Sequence, residues 1–184
     1  GSPARAEKVF HLLEDAGLSP RRRAERGYDH GTWTPLKLAF PEADIPVVQV
    51  SIDPTRDAAW HYRLGLALAP LRHEGVLIIG SGHITHNLRA FFSVVRQGAA
   101  PDPALSGQIG AFTGWIADTL AAGDTDALLS WKQQAPFPAE NHPTDEHLMP
   151  LFFAYGAAGE AAAAERLHRS AEFGFFVYES YMFR

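Results

Sequence analysis

Cysteine is absent from the 184 residues, and that single absence removes several chemistries together. Thiolate nucleophiles, disulfide staples and sulfur-ligated metals all need the missing side chain. The lack fits a reducing compartment, so the cytoplasm is the expected location. No apolar run approaches the roughly 20 residues that cross a bilayer, and no leader-like pattern opens the chain, so no membrane partner is expected. Positive charge is scarce and scattered: 16 Lys and Arg stand against 21 Asp and Glu, for a net charge of −5. No basic stripe is available to follow phosphates along a duplex, and the triplet Arg21-Arg22-Arg23, diluted by Ala-Glu-Arg, reads as a solvated loop. Nucleic acid is therefore not an expected partner.

Several catalytic signatures are missing as well. Gly80-Ser81-Gly82 is no nucleophile elbow, because that turn needs G-x-S-x-G between strand and helix. "GSGHIT" is too short for a phosphate or dinucleotide loop and has no lysine for the phosphates. No H-E-x-x-H occurs, and no paired carboxylates of the glycosidase kind stand out.

What is present is a chain 46% hydrophobic and 20% charged, enough for one globular domain with a real core. Ala4 to Ala16 has helical spacing, closed by Gly17. Ser19 to Gly31 is loop-like, and Leu36 to Phe40 reads as a short helix. "IPVVQVSI", Ile45 to Ile52, is β-branched and nearly free of charge, as a buried strand should be. A helix follows from about Thr55 to Arg72, then a second buried strand, "VLIIG", Val76 to Gly80, then helix from His86 to Val95. Strand, helix, strand at this spacing predicts a parallel pair with a right-handed crossover. Further helices are expected over Ser106 to Leu120 and Thr125 to Trp131, and from near Asp145 through the alanines that follow Pro150. The tail "FGFFVYESYMF" has strand composition. The expected architecture is α/β, a mostly parallel central sheet flanked by helices in one domain.

Ligands of open parallel sheets bind beyond the carboxyl ends of the strands, where Ser81 to Asn87 falls. The chain has nine histidines, the side chains that titrate near neutrality and bind metals well. His11, His61, His73 and His168 lie in helical patterns beside charges and read as ordinary helix residues; His142, before Pro143, reads as structural. Three others sit next to turn chemistry. His30 lies between Asp29 and Gly31, and His86 follows the strand-end glycines. His147 comes three residues after Thr144, a candidate N-cap, with acidic neighbours in the first turn. His83 is a weaker fourth candidate.

Taken together, "GYDHGTWTPL", "IPVVQVSID", "GSGHITHNLR" and "HPTDEHLMPLFFAYGA" resemble, in order and spacing, the DOPA-dioxygenase-type branch of the class III extradiol ring-cleaving dioxygenases. The resemblance covers nearly the whole chain and is loosest between about Phe91 and Glu140. It implies a LigB-like fold around one non-haem metal, Fe(II) for activity, with zinc possible in the same site. It implies that His147 ligates the metal, that His86 acts as acid and base beside a catechol, and that His30 lines the same pocket toward substrate or O₂. His83 falls at a variable position. The family pattern also has an H-G-S-P and an S-A-H-W segment, each with a metal ligand, and neither occurs here. The expectation is that residues 1–184 form one catalytic-type domain matching the C-terminal two thirds of the family fold. Such a chain should hold metal weakly and stay inactive unless the missing ligands are supplied. The alternative expectation is a metal-poor α/β domain that works in binding or assembly through a sheet edge.

Overall fold

Aspartate and asparagine side chains start five of the helices in the computed structural model of this chain, which describes residues 1–98, 100 and 102–184. Asp29 accepts from the Thr32 amide, Asp57 from Trp60, Asn87 from Ala90, Asp102 from Ala104 and Asp124 from Ala127. Each cap satisfies one of the amides that a helix start leaves without a partner. The caps open α2 (His30–Ala39), α3 (Ala58–Leu68), α4 (Leu88–Gln97), α5 (Pro103–Ala122) and α6 (Thr125–Leu129). α1 (Pro3–Asp15) precedes them; α7 (Trp131–Gln134), α8 (Pro138–Asn141) and α9 (Met149–Ala157) follow. A hairpin of β1 (Ala164–Glu172) and β2 (Phe176–Phe183) ends the chain.

Two apolar clusters hold these elements. The larger joins α5, α9 and β2 around Phe112, Ile116, Phe152 and Tyr155, all nearly inaccessible to solvent. Burying a side chain of this size contributes roughly 2–3 kcal/mol. The smaller puts Leu13 of α1 against Leu64 and Leu68 of α3 and Leu71 beyond it, with Val50, Val76 and Ile78 packed alongside.

α3 and α9 cross backbone to backbone. A Cβ on Gly65 would fall 2.1 Å from the Phe153 carbonyl oxygen, and one on Gly156 would fall 2.1 Å from that of Tyr62. No side chain fits at either position, so two glycines in facing helices set the spacing of the larger core.

The expected parallel sheet is not what forms. The sheet among the described residues is the antiparallel pair β1–β2, with Glu172 opposite Phe176 and Ala164 opposite Phe183. Residues 46–53 and 76–83 form no ladder. Composition dictates a local conformation, but a ladder needs a neighbour's amides and carbonyls, and neither run has one among the described residues. The expectation that 76–80 is buried on both faces fails too. Val76 and Ile78 pack against the smaller cluster, while Leu77 (74% exposed) and Ile79 (50% exposed) point outward. α2 starts earlier than expected because Asp29 caps it. α9 starts later, at Met149 with Pro150 in its first turn, and Thr144 donates to Glu146 instead of capping it. A proline has no amide to leave unsatisfied, which makes the first turn its natural place. His168 lies on β1, not in a helix, where its ring is bonded to Ser170 (2.9 Å).

Candidate active site

Residues 80–87 and the stretch before α9 are laced together through their backbones. The His83 amide donates to the His147 carbonyl and the His86 amide to the Asn141 carbonyl, both at 2.8 Å. Asn87 Nδ2 donates to the Glu140 carbonyl at 2.8 Å while its Oδ1 caps α4. The two glycines of "GSGHITH" allow this approach. A Cβ on Gly80 would lie 2.2 Å from the Pro150 carbonyl oxygen, and one on Gly82 would lie 2.3 Å from that of His147. Glycine stands at both because main chain passes against main chain.

This lacing brings two of the expected histidines into contact. The rings of His86 and His147 stack with centroids 3.4 Å apart and planes 13° from parallel. His83 joins them, its centroid 5.7 Å from His86 and 6.4 Å from His147, and it also meets Phe176 (5.6 Å) and Tyr178 (5.7 Å) of β2. Beneath lies His142, buried between Phe112 and Trp131, with Nε2–H donating to the Ile84 carbonyl at 2.9 Å. Burial pushes the His86 imidazole down to about 4, helped by the neighbouring rings of His147, His83 and His142. Burial likewise lowers His142 to about 4 and His83 below its ordinary value. Water stabilises an imidazolium better than this apolar surround does, so these rings are neutral at pH 7.

His30 is the first residue of α2 and is exposed. Its helix is tied down by Gln49, whose Oε1 accepts from the Asp29 amide (3.0 Å) and the Thr32 hydroxyl (2.8 Å). Ser81 Oγ lies 3.6 Å from where a Cβ on the next residue, Gly31, would stand, so α2 begins beside the glycine loop. Among the described residues the ring of His30 makes no close contact with His86 or His147. The structure thus joins two of the three expected residues and leaves His30 exposed at the start of α2.

His83, the weaker candidate in the sequence, and His142, which reads there as structural, also lie with the pair. His142 is buried and bonded to the Ile84 carbonyl, as a structural residue is. Their signal in the sequence is shared segments: His83 three residues before His86, His142 five before His147. Phe176 and Tyr178, on the sequence-distant tail, carried none.

A groove of about 650 Å³ runs from His83 and His147 between residues 76–80 and the end of β2, against Leu151, Ala154 and Ala158 of α9. It can accept a flat apolar molecule with its polar end at the imidazoles.

A metal centre is not complete on these residues. His147 Nδ1 and His142 Nδ1 are buried without a hydrogen-bond partner, as a ligand atom would be; Glu146 Oε1 lies 3.3 Å from the former but off its N–H direction. Yet among the described residues no three His, Asp or Glu side chains converge. Stacked rings also hold their nitrogens in parallel planes, which does not suit a shared ion. No described helix is long and apolar enough to cross a membrane.

Comparison with known proteins matches residues 1–183 to the family described as the catalytic LigB subunit of aromatic ring-opening dioxygenase. The chain is 43% identical over 184 residues to a 4,5-DOPA dioxygenase extradiol of Beta vulgaris, covering all of this chain and 66% of that protein. A protein of the same description from Escherichia coli K12 is 35% identical over 173 residues, covering 85% of this chain and 56% of its own length. The crystal structure of an uncharacterized protein from Escherichia coli K12 superposes with a TM-score of 0.79 at 30% identity, over 98% of this chain and 72% of that one. The chain thus spans 66% of the length of the Beta vulgaris relative, just under two thirds.

Proposed function

The chain belongs to the LigB family of aromatic ring-opening dioxygenases, and from that premise we propose that it is the catechol-handling domain of an extradiol dioxygenase in the cytoplasm. The proposed substrate is a DOPA-like or simpler catechol, and O₂ is the second substrate. Both oxygen atoms enter the product as one ring bond next to the diol opens, giving a semialdehyde. The observation that carries this reading is the stacking of His86 on His147, which lines one end of an apolar groove, in a chain whose relatives are named for this reaction.

Each side chain has a proposed task. His86, neutral before substrate arrives, takes the proton of a catechol hydroxyl; the catecholate formed beside it then stabilises the imidazolium, which returns the proton as the ring opens. His30, exposed at the start of α2, hydrogen-bonds the oxygen on which negative charge grows. His147 is the proposed metal ligand, through its unpartnered Nδ1. Fe(II) is the cofactor proposed for activity, with zinc able to take the same ligands. The described residues supply too few ligands for either, so a full centre requires donors besides these, and the steps assigned to this chain are those of its own side chains. We assign residues 1–184 to one domain equivalent to the C-terminal two thirds of the family fold.

The test uses the protein expressed at the full length of its gene, loaded anaerobically with Fe(II), then given catechol, DOPA or protocatechuate and air. Yellow ring-opened product is expected from at least one. No product from any of them, with iron shown to be bound, would overturn the reading. The exposed Leu77 and Ile79 favour a second reading, a domain that binds or assembles without catalysis. It predicts self-association and no turnover in the same assay.

A further inference from the structure

His83 is held as tightly as the two histidines beside it, yet the proposed reaction gives it no task. Its amide is bonded to the His147 carbonyl (2.8 Å), and Gly82 before it touches the same carbonyl. Its ring stands between the His86–His147 stack and the aromatic side chains Phe176 and Tyr178, and it lines the groove. Among the described residues no protein group bonds either ring nitrogen, and neither is among the fully buried unpaired atoms. Both nitrogens therefore keep solvent access, on a ring that lines the groove. A half-buried imidazole on a fixed backbone, with its polar atoms free, is suited to reading a ligand.

We propose that His83 is a specificity-determining residue: it hydrogen-bonds an oxygen substituent on the ring carbon next to the diol of a bound catechol. The inference rests on the ring-cleavage reading. It adds a preference for a third oxygen adjacent to the diol over an alkyl group of the same size. The nearness of the two rings points to that carbon. The His83 and His86 centroids are 5.7 Å apart, close enough for the two rings to bond neighbouring substituents of one aromatic ring. Phe176 and Tyr178 hold the His83 ring from the other side, so it cannot swing away from a ligand that lacks the oxygen. Such a ligand leaves a desolvated ring nitrogen without a partner, which is the source of discrimination.

The experiment measures anaerobic binding of catechol, pyrogallol and 3-methylcatechol to this chain by NMR titration. Pyrogallol and 3-methylcatechol differ by OH against CH₃ at the position in question. The wild-type protein should prefer pyrogallol over 3-methylcatechol by about fivefold to tenfold, the yield of one hydrogen bond against an isostere. His83→Leu should bring that ratio to near one while catechol affinity stays within about twofold, and His83→Gln should keep part of the preference. An unchanged ratio in His83→Leu overturns the proposal, as does an equal loss for all three ligands, which marks a structural role. If His83→Leu does not fold, an unchanged ratio in His83→Gln overturns it. If catechol and 3-methylcatechol bind the wild type as well as pyrogallol does, the proposal fails while the ring-cleavage reading stands. If no diol binds this chain, the proposal fails, and the ring-cleavage reading is decided by the full-length, iron-loaded assay.

Discussion

His86 and His147 lie face to face at 3.4 Å, so the charge of either ring is felt by the other. Burial is the main reason the His86 imidazole lies near 4, and the His147 ring is the next. Removing a neighbour that repels a proton makes protonation easier, so the sign is fixed. His147→Ala should raise the His86 value from about 4 toward the ordinary 6.5, read from the ring-proton shift in an NMR pH titration. A His86 signal that titrates as before would mean that the two rings are not stacked in solution. In the metal-loaded protein the two positions should separate by role. His86→Ala should remove most turnover with metal content nearly intact, whereas His147→Ala should lower metal content. The reverse pattern would exchange the proposed assignments.

The segments carrying these rings meet by main chain, so their glycines are sensitive to a single methyl group. Gly82→Ala places a carbon 2.3 Å from the His147 carbonyl oxygen, and the loop must move away from α9. A cost of about 1–3 kcal/mol in urea unfolding is expected, with loss of the His83 amide bond visible in hydrogen exchange. Gly110, exposed in the middle of α5, has nothing within 4 Å of its would-be Cβ. Gly110→Ala should therefore stabilise by about 0.5–1 kcal/mol, since alanine is the better helix former. This contrast also shows what the sequence can convey about elements. Helices were legible because apolar periodicity is local, while the exact starts that Asp57 and Asn87 set for α3 and α4 were not. The extended runs at 46–53 and 76–83 were legible as conformations but not as a sheet, because pairing is a property of the neighbour. The approach of Gly82 to His147 spans 65 residues and left no trace in either segment. The histidines themselves were legible, since "GSGHITHN" and "HPTDEH" are patterns of residue type; which ring meets which was not.

Acid should weaken the whole molecule through its buried imidazoles. His61, His83, His86 and His142 all have values lowered chiefly by burial. The unfolded chain binds protons near 6.5 and the folded one does not, so stability is full above that pH and drains away as pH falls toward about 4. For His142, nearly inaccessible to solvent, the interval corresponds to about 3 kcal/mol. Urea midpoints at pH 7.5 and 4.5 should differ accordingly, and His142→Gln should shrink the difference. The outward Leu77 and Ile79 act at the same scale. An extended run with outward aliphatic side chains invites another chain, and a charge there repels it. Leu77→Lys should reduce self-association in sedimentation with little change in unfolding. The crossing at Gly65 and Gly156 works in the opposite sense, as a rivet. Peptide planes pressed together leave no cushion of methyl groups to swell or shrink, so the spacing of α3 and α9 at this crossing does not depend on side-chain size. The turn bearing His147 leads into the other end of that helix, at Met149, so a fixed crossing at Gly156 gives the rod that carries this imidazole a firm footing.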